Sequence, residues 1–260
     1  RQATSRKKSL EKIVLEEIKP SSRKYPYIAF TLNRELGKDI LTVEGLTKTI
    51  DGKKVLDNVT FTLNRGDKAV LLGRDDIAKT TLLKILAGEM KPDKGTIKWG
   101  KTIEYDYFPA DNSAYFENNN LNLIEWLAQY SSDTSEAFLR GFLGRMLFSG
   151  EQPLKKVKVL SGGEKVRCMF SKLMLSGANF LLLDQPTNHL DLESIQAVND
   201  GLVNYKGCLL FTSHDHNFVE TIANKIIEIT DKGAFAIDTS FGEYLNDEKI
   251  QVKVESMYNK

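Results

Sequence analysis

The stretch Asn179-Phe-Leu-Leu-Leu-Asp184-Gln-Pro-Thr-Asn-His-Leu-Asp191 decides the fold. A short apolar run of Phe and Leu that ends abruptly in a carboxylate predicts a strand buried on both faces, as in a parallel sheet. Asp184 then emerges at the carboxyl edge of that sheet, where open α/β folds place their ligands. A carboxylate at that edge is placed to hold Mg²⁺, directly or through water. A buried strand ending in a plain Asp-Gln-Pro turn would read the same way. The flanking sequence has to separate the two.

Working outward, residues 192–205 have a helical pattern, and Cys208-Leu-Leu-Phe211 is a second buried strand. It ends in Thr212-Ser213-His214-Asp215, a second polar cluster at a strand's carboxyl end. On the N-terminal side stands Leu160-Ser161-Gly162-Gly163-Glu164-Lys165-Val166-Arg167, opening a helix that runs to about residue 175. A Ser N-cap followed by two glycines bares several backbone N–H groups, which suits an anion. A simple capped helix start is the plainer reading, but two adjacent glycines weaken a helix that serves packing alone.

Further upstream the pattern alternates in residues 40–43, 59–63 and 68–72, separated by Asp51-Gly52 and Arg65-Gly66-Asp67, as in an antiparallel layer. The third run feeds Gly73-Arg-Asp75-Asp76-Ile-Ala78-Lys79-Thr80-Thr81 and then an apolar-periodic helix. Strand, loop, Lys-Thr and helix is the context of a phosphate-binding loop, with Ala78 where the second Gly belongs. Residues 95–107 read as short strands, and 121–130 and 135–147 as helices of an inserted helical subdomain at about 112–175. Residues 226–229 and 234–237 complete the strands, and a charged helix is expected from Tyr244 onward.

Residues 4–19 read as an amphipathic helix carrying Leu10, Ile13, Val14 and Ile18 on one stripe, ended by Pro20. Its basic start (Arg1, Arg6, Lys7, Lys8) suits either solvent or RNA phosphates. Residues 25–30 read as an extended connector. The net charge of +1 excludes a global footprint for nucleic acid or membrane. No apolar run approaches the ~18 residues of a membrane span. Cys168 and Cys208 sit in apolar contexts, as buried thiols do in a reducing, cytoplasmic compartment. A chain opening on Arg1 rather than Met reads as a piece of a longer polypeptide. The expected division is an arm over 1–38, a nucleotide-binding domain over 39–245 and a helical tail over 246–260.

Four elements in this order (the 73–81 loop, Leu-Ser-Gly-Gly-Glu164, the 183–191 run and Ser213-His214-Asp215) resemble an ABC-type ATPase domain. The Pro186-Thr-Asn-His-Leu-Asp191 run is similar to the ABC-F family of soluble, ribosome-associated ATPases, and the lead-in at 1–6 and 15–22 to the interdomain arm of its YbiT-like branch. The resemblance implies a P-loop α/β fold: a mixed core sheet, an antiparallel β layer and a helical subdomain. It implies the second of two nucleotide-binding domains, ATP and Mg²⁺ as ligands, and a second ABC domain and the ribosome with its rRNA as partners. By position, Lys79 is expected on the β/γ-phosphates, with Gly73 and Thr81 in the same loop. Thr80 and Asp184 are expected on Mg²⁺, His214 on the γ-phosphate, and Asp191 as the D-loop carboxylate. Ser161, Gly162, Gly163 and Glu164 form a signature that caps ATP on the opposite domain.

The departures point one way. Gln185 stands where the family has its catalytic Glu and accepts no proton from water. Ala110 takes the Q-loop position, and Ile50 the place of an adenine-stacking aromatic. Asp76 and Ala78 replace glycines, and Asp75 an Asn. The expectation is a degenerate site on the chain's own face beside an intact signature for a partner. An ATPase subunit of a membrane transporter and a non-catalytic ABC-fold binding module are the alternatives.

Overall fold

A computed structural model describes residues 25–258; the arm helix expected over 4–19, with its basic start, lies outside them. In order, the chain forms β1 (Leu41–Ile50), β2 (Lys53–Leu63), β3 (Lys68–Leu72), α1 (Asp76–Leu86), β4 (Lys94–Trp99), β5 (Tyr105–Phe108), α2 (Leu123–Ala128), α3 (Glu136–Arg145) and α4 (Gly162–Ser176). It continues through β6 (Phe180–Asp184), α5 (Leu192–Asn204), β7 (Cys208–Thr212), α6 (His216–Ile222), β8 (Lys225–Thr230), β9 (Gly233–Ile237), α7 (Phe241–Asn246) and α8 (Glu248–Ser256).

The main sheet has the order β5-β6-β7-β3-β8-β9, parallel throughout except for the β8–β9 hairpin. A smaller antiparallel sheet, β2-β1-β4, lies beside it. All five residues of β6 are buried, and their alternation divides the core in two. Phe180 and Leu182 join one cluster with Leu82 and Leu83 of α1 and Val43, Val59 and Phe61 of the small sheet. Leu181 and Leu183 join the other, with Phe170 of α4, Val198 and Leu202 of α5, and Trp126 and Leu139 of the inserted helices. Both faces of the sheet are therefore covered, which is why this strand needs an unbroken apolar run.

Four elements differ from the sequence reading. β3, expected in the antiparallel layer, pairs in parallel with β7 and β8 at the middle of the main sheet, and β4 takes its place in the small sheet. β1 runs on to Ile50, seven residues past the expected Val43. β2 starts at Lys53, six residues before the expected Val59. The cause is the turn: Asp51 (φ 49°) and Gly52 (φ 79°) take the left-handed conformations of a two-residue hairpin, which pairs Ile50 with Lys53 directly. The polar Lys53-Lys54 start hides a strand whose register the turn sets. The tail is two helices, because Asp247 ends α7 and caps α8, accepting from Lys249 N–H at 2.8 Å.

Candidate functional site

The phosphate loop begins at Gly73, whose φ is 142°. A Cβ there would lie 2.7 Å from the Ile229 carbonyl oxygen on β8, so the turn out of β3 admits only glycine. The helix then starts early. Asp75 is the N-cap of α1, and its Oδ1 accepts from the Ile77 N–H at 2.9 Å, while Lys53 Nζ holds Oδ2 at 2.9 Å. The Lys53 hydrogen bond holds the Asp75 carboxyl below its usual range, against partial burial and with help from the Ile77 and Ala78 amides. A helix N-terminus attracts an anion; here the anion is the chain's own. Ala78 lies inside α1 and is absent from the residues with positive φ, so it carries no left-handed strain.

Asp76 completes the arrangement. Its Oδ1 lies 2.7 Å from the buried Lys79 Nζ, and its Oδ2 lies 3.7 Å from Nε2 of the exposed His214. The two side chains assigned to the terminal phosphates thus meet on one carboxylate. Thr80 is half-buried and Thr81 buried on the same helix; Ile50 is half-buried at the end of β1, opposite Lys53. Ala110 is exposed just past β5.

Asp184 and Thr212 end neighbouring parallel strands in register. Thr212 Oγ1 donates to Asp184 Oδ1 at 2.7 Å and accepts from the Gln185 N–H at 2.9 Å. Asp184 is 1% exposed, and its Oδ2 is buried without a hydrogen-bond partner. A free buried carboxylate oxygen, with Thr80 on the facing helix, is a donor set that fits Mg²⁺. Gln185 takes a left-handed conformation (φ 51°), and its Oε1 is likewise buried and unpartnered.

The signature is built on a capping box. Ser161 Oγ accepts from the Glu164 N–H at 3.4 Å, and Glu164 Oε2 accepts from the Ser161 N–H at 2.8 Å and the Ser161 hydroxyl at 2.9 Å. Burial pushes the Glu164 carboxyl up, but these bonds, with Lys155 and Arg167 nearby, bring it below its usual value. Ser161 and Gly162 are exposed, leaving this helix end open. The glycines also serve the loop after β6. A Cβ on Gly162 would come within 3.3 Å of His189 Cβ, and one on Gly163 within 3.0 Å of the His189 carbonyl oxygen. Asp191 caps α5, accepting from the Ser194 N–H at 2.8 Å, which holds its carboxyl below the usual range. Signature and D-loop are thus adjacent in one chain. Among the described residues no hydrogen bond or ion pair joins residues 161–164 to the 73–81 loop. Replacing Ser161 by Ala should lower stability by about 1 kcal/mol, read as a lower urea midpoint at unchanged slope.

Sequence reasoning missed the tail's place in this region. Arg74 pairs with Glu255 of α8 at 2.5 Å and lies over the Tyr258 ring at 4.0 Å. The Tyr258 hydroxyl is 2.5 Å from Glu228 Oε1 and 3.2 Å from the Ile229 carbonyl, and Tyr244 bonds the other Glu228 oxygen. Burial raises the Glu228 carboxyl above its usual value, opposed by the Tyr258 hydrogen bond. The available signal was two tyrosines in a charged tail, which need a place to bury their rings. A cavity of about 130 Å³ remains between Lys53, Arg74, Asp75, Thr230 and Tyr258.

Comparison with known proteins agrees with this architecture. The family model described as ABC transporter matches residues 56–188. The chain is 64% identical to the ABC transporter ATP-binding protein YkpA of Bacillus subtilis, over 99% of this chain and 48% of that one. It is 43% identical to the ATP-binding protein YbiT of Escherichia coli O157:H7, over 96% and 47%. It is also 34% identical to ABC transporter F family member 2 of Arabidopsis thaliana, over 89% and 34%. The chain therefore spans about half the length, or less, of these curated relatives. A solved metal-chelate type ABC transporter in an inward-facing conformation superposes with a TM-score of 0.65 at 21% identity, covering 85% of this chain and 90% of that one, which shows a shared fold. With that match running from β2 through the 183–188 run, the chain belongs to the ABC transporter family, as an ATP-binding domain whose relatives include YkpA, YbiT and F family members.

Proposed function

We propose that this chain is the second of two nucleotide-binding domains of an ABC-F ATPase that works on the ribosome in the cytoplasm. In this reading it lends its signature to a nucleotide site on its partner domain, while its own site is degenerate. One contrast carries the reading: α4 is capped by the neutral Ser161, with Glu164 turned back onto it and Gly162 exposed, whereas the charged Asp75 caps α1 and Asp76 holds Lys79. Three large apolar side chains belong to the phosphate loop, the D-loop junction and the lead into the signature: Ile77 (58% exposed), Leu192 (80%) and Val159 (65%). They give a second ABC domain something to cover.

On the chain's own face, bound Mg-ATP would supply the reacting phosphoryl group and its metal. The chain's residues would do less than an active site requires. Lys79 must leave Asp76 to reach a phosphate, the Ile77 amide must leave Asp75, and Gln185 orients water without taking its proton. The isolated chain is therefore expected to turn over ATP at the rate of its Lys79→Ala variant, measured as phosphate release. Turnover well above that control would overturn the degenerate-site reading. The ribosomal part is tested separately: the intact two-domain protein, held with a non-hydrolysable ATP analogue, should co-sediment with ribosomes. A non-catalytic ABC-fold module is the second reading, favoured by the Asp76–Lys79 pair and Gln185. Absence of ATP hydrolysis by the intact protein would favour it.

A further inference from the structure

Three buried side-chain atoms at one end of β6 have no hydrogen-bond partner: Tyr107 Oη, Asp184 Oδ2 and Gln185 Oε1. The sheet places them together. Tyr107 on β5 is in register with Leu182 on β6. It shares the core cluster of Phe180, Leu182 and Leu210, while its neighbour Phe108 belongs to the opposite cluster with Leu181 and Leu183. Asp184, two residues beyond Leu182, therefore lies on the Tyr107 side of the sheet, and Gln185 follows it. Adjacent strands are ~4.8 Å apart and two residues along a strand advance ~6.6 Å, so the Cα atoms of Tyr107 and Asp184 lie ~8 Å apart on one face, within reach of a tyrosine side chain, and the Asp184 charge acts on the Tyr107 phenol. From the other flank, β7, Thr212 already holds Asp184 Oδ1.

The chemistry of the three atoms is complementary to one water. Burial, and then the nearby Asp184 charge, raise the Tyr107 phenol far above its usual value, so it stays protonated and donates. Asp184 Oδ2 and Gln185 Oε1 accept. A water has two donors for the two acceptors and a lone pair for the phenol, which satisfies every orphan with three bonds, the usual number for a buried water. We propose that in the nucleotide-free chain Tyr107, Asp184 and Gln185 hold one buried water, and that Tyr107 is thereby a positioning residue that fixes the Asp184 oxygen fitted to Mg²⁺. This deepens the reading of a non-hydrolysing own site. A water that donates one proton to the Gln185 carbonyl and the other to Asp184 is a fixture, and the amide at 185 cannot take the proton it receives.

The test does not depend on nucleotide. Tyr107→Phe should lower the Tm of the chain by about 2–4 °C, the loss of roughly one buried hydrogen bond in a chain of this size. In an Asp184→Ala background the same change should shift Tm by less than about 1 °C. An unchanged or raised Tm in the parent, or equal losses in both backgrounds, would overturn the proposal. A high-resolution crystal structure of the parent chain keeps the test decisive if Asp184→Ala does not fold. Density for a water within about 3.2 Å of all three atoms is expected, and an empty or apolar gap refutes it. A spectroscopic readout separates positioning from packing. Asp184→Asn should shift the near-ultraviolet tyrosine absorption of the parent, and that shift should vanish when Tyr107 is Phe; a shift that persists counts against Tyr107. ATP turnover above the Lys79→Ala control would sink the degenerate-site reading and leave these three outcomes intact.

Discussion

Changing Asp75 to Asn and Asp76 to Gly together is expected to raise the chain's affinity for Mg-ATP about a hundredfold, measured by titration calorimetry. A carboxylate about 5 Å from a phosphate oxygen opposes it by roughly 3 kcal/mol at an effective dielectric near 20, and 1.4 kcal/mol is tenfold in affinity. The structure adds a second reason beyond repulsion. Asp76 occupies Lys79 at 2.7 Å and His214 at 3.7 Å, and Asp75 occupies the Ile77 N–H, so the carboxylates withhold the groups a phosphate would need. Asp76→Asn alone should therefore gain more than Asp75→Asn alone, because Asn at 75 still caps α1 and keeps the Ile77 amide engaged. Ala78→Gly should gain little. Ala78 is helical without positive φ, and Gly there weakens α1 by up to about 1 kcal/mol. The advantage of the double variant should shrink as salt rises, since Asp76 is largely exposed. A larger gain from Ala78→Gly, or tight binding by the unmodified chain, would refute the electrostatic account.

The same loop shows where a sequence can be read and where it cannot. Residues 180–183 were legible because burial on two faces selects apolar side chains, a condition written directly into the run that Asp184 ends. Ser161 was legible as an N-cap because capping is local, whereas Glu164, its capping-box partner three residues on, was read only as part of the signature. Asp75 and Asp76 were legible as misplaced charges but not as ligands of their own helix. Whether a carboxylate repels a visiting anion or caps an amide depends on where the helix starts, and the Asp75 carboxylate is also held by Lys53 from a hairpin 22 residues away. Tyr107 was beyond reach for the same reason. Its hydroxyl is defined by a strand 75 residues further on, and only the register of β5 against β6 brings the two together. The tail was read as one helix because its charges are continuous, while the break at Asp247 is a capping choice within that charged pattern.

The second large effect concerns the open helix end rather than the blocked one. In the two-domain protein proposed above, Gly163→Asp should abolish ATP-driven closure, measured with distance labels across the two domains. A carboxylate placed about 5 Å from the partner's terminal phosphate again opposes docking by roughly 3 kcal/mol, about a hundredfold in the closed population. A simple comparison with the parent would not isolate that charge. Any Cβ at position 163 lies 3.0 Å from the His189 carbonyl, so every substitution also presses on the D-loop, whose His189 already holds a φ of 65°. Gly163→Asn carries the same atoms to the same place without the charge, and it supplies the reference. Asp should close about a hundredfold less readily than Asn, and the difference should narrow in high salt. Equal loss in both variants would assign the effect to D-loop strain. Unchanged closure in both would mean that no phosphate docks at this helix end, and the reading of a signature acting on a partner's nucleotide would fall with it.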